Sequence, residues 1–145
     1  MAEKTRTEKT RTGGCLCGAV RIEASGPPTR VNYCHCRTCR KASGAPVVAW
    51  VTFPAAKVRF MPEPAWYKSS EKAERAFCAR CGSAMVWRSF ADPEHIDVTT
   101  VTFDQPDDPE LKPVDHLWMD AKLSWFDVRD ELPRYHEFRK GPRVK

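Results

Sequence analysis

Cys34, Cys36 and Cys39 crowd three thiols into the stretch CHCRTC. A closed tetrahedral zinc site takes four ligands and a disulfide takes two. Three thiolates at this spacing suit a metal that keeps one position open for water or an incoming sulfur. The alternative is a closed structural site in which a distant histidine, His95, His116 or His136, completes the coordination. His35 sits between two of the thiols and is expected to point away from them. Spacing alone leaves both readings open.

The other four cysteines fall into two pairs. Cys78-Ala79-Arg80-Cys81-Gly82 is a tight knuckle whose turn aims both sulfurs at one point, and no long βαβ context supports a redox dithiol. Cys15 and Cys17 are expected at i and i+2 of an extended chain, projecting from one face. Each pair supplies half of a tetrahedral S4 centre, so Cys15, Cys17, Cys78 and Cys81 read as a structural zinc site. All-thiolate coordination favours zinc over harder metals, giving an expectation of two zinc ions per chain.

Three thiolates on one divalent ion leave the second site net negative, and a bound thiolate would add to that. Arg37, Arg40 and Lys41, close to the ligands, are the cations within reach. The amides of a helical turn over RTCRKASG could also bond the sulfurs. Trp50, Phe53, Trp118, Trp125 and Phe126 are candidates for the wall of a pocket, against the simpler reading of each as core. Asp127 and Arg129 could contact a peptide-like thiol or pair with each other.

These residues need a scaffold. The 145-residue chain is 41% hydrophobic and holds five tryptophans, enough for one domain with a core of its own. Val20 and Ile22 alternate with Arg21 and Glu23 as in a strand, and VVAWVTF before Pro54 is a continuous apolar β-type run. Further strands are expected at 58–60, 66–69 and 75–77, and HIDVTTVTF (95–103) is the longest. Gly44 should end a short helix after the cysteine cluster. The whole reads as mainly β with short helical turns.

The net charge of +5 is unevenly placed. Residues 1–12 hold four basic and two acidic side chains, and residues 134–145 hold five basic and one acidic, leaving a nearly neutral body. A nucleic-acid module carries its basic patch on the folded face, so nucleic acid is not the expected partner. No secretory pattern is read at the N-terminus, and no apolar run approaches about 18 residues. Clustered cysteines then point to metal binding in a reducing cytoplasm. The expected organisation is a mobile basic leader at 1–12, a zinc-binding domain at 13–135 and a basic tail at 136–145.

With all three clusters in place, the chain resembles the glutathione-dependent formaldehyde-activating enzyme family, whose domain also occurs in centromere protein V. The resemblance is carried by GGCLCGAVRIE, YCHCRTCRKASGAPVVAW, ERAFCARCGSAMVW, HIDVTTVTFD and KLSWFDVRDELPRY, in order across residues 13–135. It implies a β-tent fold of stacked antiparallel sheets with two zinc sites. Cys15, Cys17, Cys78 and Cys81 would hold one zinc, and Cys34, Cys36 and Cys39 the other. It also implies a carbon–sulfur lyase acting on a thiol–carbonyl adduct, with a small thiol such as glutathione and an aldehyde as partners. The competing class is a non-enzymatic two-zinc module that binds a partner through its surface and basic tails.

Overall fold

The computed structural model describes residues 8–145. Two sheets dominate it. The smaller has the order β1-β2-β5, from Thr10–Gly14, Arg21–Ser25 and Val58–Met61. The larger has the order β10-β3-β4-β9-β8-β7-β6. Its strands are β3 (Arg30–Cys34), β4 (Val48–Pro54), β6 (Ala65–Ser70), β7 (Ala73–Phe77), β8 (Ala84–Ser89), β9 (His95–Thr99) and β10 (His116–Leu117). Neighbours run antiparallel, except that the two-residue β10 lies parallel to β3, a departure from the wholly antiparallel expectation. Among the described residues there is one α-helix, α1 (Arg37–Ser43), and no helix long and apolar enough to cross a membrane.

The VVAWVTF run becomes β4, the longest strand, set between β3 and β9. Side chains alternate faces along a strand. Val51 and Phe53 therefore enter the main core with Ile22, Ala24, Met85, Val98 and Phe103, where the two sheets meet. Val48 and Trp50 face the other way and pack with Cys34 and Cys39. β3 repeats the division, with Val31 in the main core and Cys34 in the second cluster.

The strand expected over 95–103 stops at Thr99 and continues as a short 3-10 turn, Thr100–Thr102. The Thr102 hydroxyl donates to the Thr99 carbonyl at 2.7 Å, a local bond that competes with the ladder. The turn delivers Phe103 to the core, 6.0 Å from the Phe53 ring centroid.

One terminal expectation needs correction. Residues 1–7 of the expected leader lie outside the described residues, but Thr10–Gly14 is a strand rather than a mobile segment. Its inward side chain is Arg11, buried and paired with Asp108 at 3.0 Å, with Glu110, and with the Gly26 carbonyl at 3.1 Å. A strand whose buried residue is an arginine shows no apolar alternation. Residues 136–145, read as a basic tail, make contacts with the body. Arg139 holds the buried Asp115 at 2.7 Å, Phe138 packs on Trp118, and the Val144 amide bonds Arg134.

Gly13 and Gly18 separate two roles of glycine. A Cβ on Gly13 would collide with the Thr102 carbonyl and stand 2.7 Å from Phe103 Cα, whereas Gly18, at φ +78°, has open space around it. Gly13→Ala should cost about 3 kcal/mol by overpacking against backbone. Gly18→Ala should cost only about 1 kcal/mol, for the left-handed conformation. Urea unfolding of the two variants checks the order, and equal losses would contradict it.

Candidate metal centres

The first group of sulfurs joins the two sheets. Residues 15–20 link β1 to β2, and residues 78–83 link β7 to β8. The Sγ atoms of Cys15, Cys17, Cys78 and Cys81 all lie within 4.8 Å of one another. Cys15 and Cys17 are 3.7 Å apart, and Cys17 and Cys78 are 3.8 Å apart. Four sulfurs at about 2.3 Å from a tetrahedral zinc are separated by about 3.8 Å, so these thiols fit that ion.

Cys15 and Cys17 do not project from an extended strand as their spacing suggests. They sit in the hairpin loop, closed by the Cys15 amide on the Val20 carbonyl and the Gly18 amide on the Cys15 carbonyl. The positive φ of Gly18 turns the chain so that both sulfurs converge. The second loop is the tight knuckle expected from Cys78-x-x-Cys81-Gly82, with Gly82 at φ +77° and its amide on the Cys78 carbonyl. Backbone amides also reach sulfur, Val20 to Cys15 at 3.3 Å and Cys81 to Cys78 at 3.5 Å. The Ser83 hydroxyl and amide draw the Cys81 thiol down to about 5, which favours the ligand form. The loops are tied directly by the Leu16 amide on the Ser83 hydroxyl at 3.1 Å.

The second group lies on the opposite face of the larger sheet from the main core. Cys34 ends β3, Cys36 caps α1, and Cys39 is the one buried residue of that helix. Their sulfurs also lie within 4.8 Å of one another, with Cys34 and Cys39 at 3.6 Å. The Cys36 sulfur accepts from the Cys39 amide at 3.3 Å and faces the Thr38 hydroxyl at 3.4 Å. The expected contribution of helix amides is therefore present. Thiols this close favour a single negative charge among them. Cys34 and Cys39 pull the Cys36 thiol well below its ordinary range, while Cys36, Cys39 and burial push the Cys34 thiol up.

Among the described residues no histidine or carboxylate joins these three sulfurs. His95 bonds Asp92 at 3.0 Å and His136 bonds Asp120 at 2.6 Å. His35 turns away from the cluster, as expected, and lies fully buried with Nε2 2.9 Å from His116 Nδ1. His116 in turn reaches Asp130 at 2.8 Å. Burial, and then His116, lower the His35 pKa to about 4, so the ring stays neutral.

A cavity of about 490 Å³ opens beside Cys39, walled by Val48, Trp50, Val86 and Phe77, with Arg37 and Lys41 from α1 and Arg75 from β7. Of the aromatic candidates only Trp50 lines it. Phe53 is in the main core, Trp118 packs behind the sulfurs, Phe126 lies near His35, and Trp125 is 71% exposed. Asp127 and Arg129 pair with each other at 2.8 Å on the surface. The cation that touches a cluster sulfur is none of the three expected. Arg75 Nη2 donates to Cys39 Sγ at 3.6 Å and to the Thr38 hydroxyl at 3.2 Å.

The sequence profile of the glutathione-dependent formaldehyde-activating enzyme family matches residues 10–121. The chain belongs to this family. A relative from Halomonas elongata, provisionally named a glutathione-dependent formaldehyde-activating enzyme, is 30% identical over 128 residues, covering 80% of this chain and 79% of its own. An uncharacterized lyase of Schizosaccharomyces pombe is 34% identical over 73 residues. That match spans 50% of this chain and 53% of the yeast protein. The crystal structure of a Rhodobacter sphaeroides protein is similar, with a TM-score of 0.53 and 25% identity over 64% of this chain and 87% of the other. The family match contains all seven cysteines and Arg75, and ends before Asp130.

The two family clusters should differ in their weight on the fold. The four-sulfur group brings together loops from separate sheets, and the binding free energy of a metal held there would be folding free energy. Cys78→Ser should lose about 3 kcal/mol or more, on the order of 10 °C in Tm for a chain of this size. Serine is a better helix cap than cysteine, so Cys36→Ser keeps α1 and should cost less than about 1 kcal/mol. Thermal unfolding with metal analysis decides the matter, and equal large losses would reject the division.

Proposed function

We propose that this chain is a zinc-dependent carbon–sulfur lyase acting on the adduct of a small thiol, such as glutathione, with an aldehyde. Cys15, Cys17, Cys78 and Cys81 hold a structural zinc within a β-tent of two sheets, and Cys34, Cys36 and Cys39 hold the second ion. The observation that carries the reading is the three-sulfur group without a fourth protein ligand among the described residues, beside a cavity that reaches Cys39. A zinc ion held by Cys34, Cys36 and Cys39 would supply Lewis-acid stabilisation of a thiolate.

The residues of the chain account for the rest. The Cys39 amide and the Thr38 hydroxyl hold the Cys36 sulfur, which fixes the geometry of the short loop. Arg75 offsets negative charge at Cys39. Arg37 and Lys41 on the cavity wall suit a thiol that carries carboxylates. Val48, Trp50 and Val86 make an apolar wall that limits water around the reacting groups. Glutathione and formaldehyde enter through the family and the name of the Halomonas elongata relative. The pairing of Arg139 with Asp115 removes one charge on which a partner-binding basic tail would rely, and so supports the lyase over the binding module.

Zinc-edge X-ray absorption combined with elemental analysis tests this. Two zinc ions per chain are expected, and saturating glutathione should add sulfur at about 2.3 Å. A nitrogen shell at about 2.0 Å that persists with saturating thiol would overturn the reading.

A further inference from the structure

Arg75 has more donor capacity than the cysteine cluster uses. Nη2 serves Cys39 and Thr38, while the Nε–H is buried with no acceptor among the described residues. A buried donor without an acceptor is costly, and native proteins leave few of them unpaired. Arg40 shares the feature but does not line the cavity, whereas Arg75 does. Arg75 is also held in place from both sides, since β7 pairs it with Tyr67 on β6 and Trp87 on β8. A guanidinium carried on a centrally paired strand thus touches the sulfur cluster through Nη2 and forms part of the cavity wall.

We propose that Arg75 is a catalytic residue that binds the carbonyl oxygen of the aldehyde. The proposal rests on the lyase reading. In the forward direction the thiol has lost its proton, and its sulfur lone pair forms the C–S bond. The C=O π pair moves onto oxygen, which takes up one proton from solvent to become the hydroxyl of the adduct. In reverse the hydroxyl loses that proton, the carbonyl re-forms and the C–S bonding pair leaves with sulfur. In both directions negative charge develops on an oxygen two bonds from the sulfur. A guanidinium beside the sulfur cluster is placed to donate to that oxygen, in a wall that Trp50 and Val86 keep apolar. Formaldehyde and larger aldehydes share this oxygen, so the role does not depend on which carbonyl compound is native.

Thioacetate tests it, because it carries on one carbon a sulfur and an oxygen that shares the anion's charge; ethanethiol carries the sulfur alone. Binding of both to zinc-loaded wild type, Arg75→Met and Arg75→Lys is measured by calorimetry, with zinc content and Tm recorded for each protein. Arg75→Met should weaken thioacetate roughly 10- to 100-fold, the range for a hydrogen bond to a charged group, and leave ethanethiol unchanged. Arg75→Lys keeps the charge without the fork and should restore part of the loss. Equal weakening of both probes, or loss of zinc from Arg75→Met, would mean that Arg75 acts only through Cys39, and would overturn the proposal while leaving the lyase reading intact. Failure of both probes to bind wild type would overturn the lyase reading and the proposal with it.

Discussion

A strand in the middle of a sheet has two faces to bury, and β4 buries different chemistry on each. Val51 and Phe53 close the core between the sheets, and Val48 and Trp50 form the floor on which Cys34 and Cys39 rest. Because the side-chain period is two, a register slip of one residue would move tryptophan into the core and phenylalanine under the cysteines. The core thus fixes the site: no arrangement fills one face correctly and leaves the other free to vary. Pairing of β4 with β3 and β9 on its two sides removes that freedom.

The two sulfur groups depend on this frame in different ways. The four-sulfur group is assembled from hairpin loops, whose shapes come from positive-φ glycines and amide–sulfur bonds, and its members meet only because the sheets pack. The three-sulfur group is almost local. A strand end, a helix cap and one helical turn place Cys34, Cys36 and Cys39 with little help from distant chain. A cross-link between distant segments restricts the unfolded chain far more than one within a single turn. On the proposed function, stability and reactivity fall to separate clusters of the same chemistry.

Local features were legible in the sequence and cooperative ones were not. The short cysteine spacings, the knuckle at Gly82 and the helix ended by Gly44 each follow from residues a few positions apart. The VVAWVTF run announced a strand. Cys15 and Cys17 were grouped with the right partners for the wrong reason, because i and i+2 look alike in a strand and in a hairpin loop. Thr10–Gly14 was hidden because its inward residue is Arg11, held by Asp108 and Glu110 from far along the chain. The end of β9 was hidden because a threonine hydroxyl, not a glycine or proline, diverts the chain.

Arg75 illustrates the limit most sharply, and helix geometry explains it. Arg37, Arg40 and Lys41 looked like the natural counter-charges because they flank Cys39 in sequence. Successive residues of an α-helix are rotated by about 100°, so none of the three shares the face of Cys39. That face is shared by positions three or four residues away: Cys36, Ala42 and Ser43 in this helix, none of them cationic. Cys39 is the residue that α1 buries against the sheet, so a cation that meets its sulfur has to come from the sheet. β7 supplies it from 36 residues away. Proximity in sequence thus misleads most at a buried helical ligand, because burial selects the one direction in which its neighbours along the helix cannot reach.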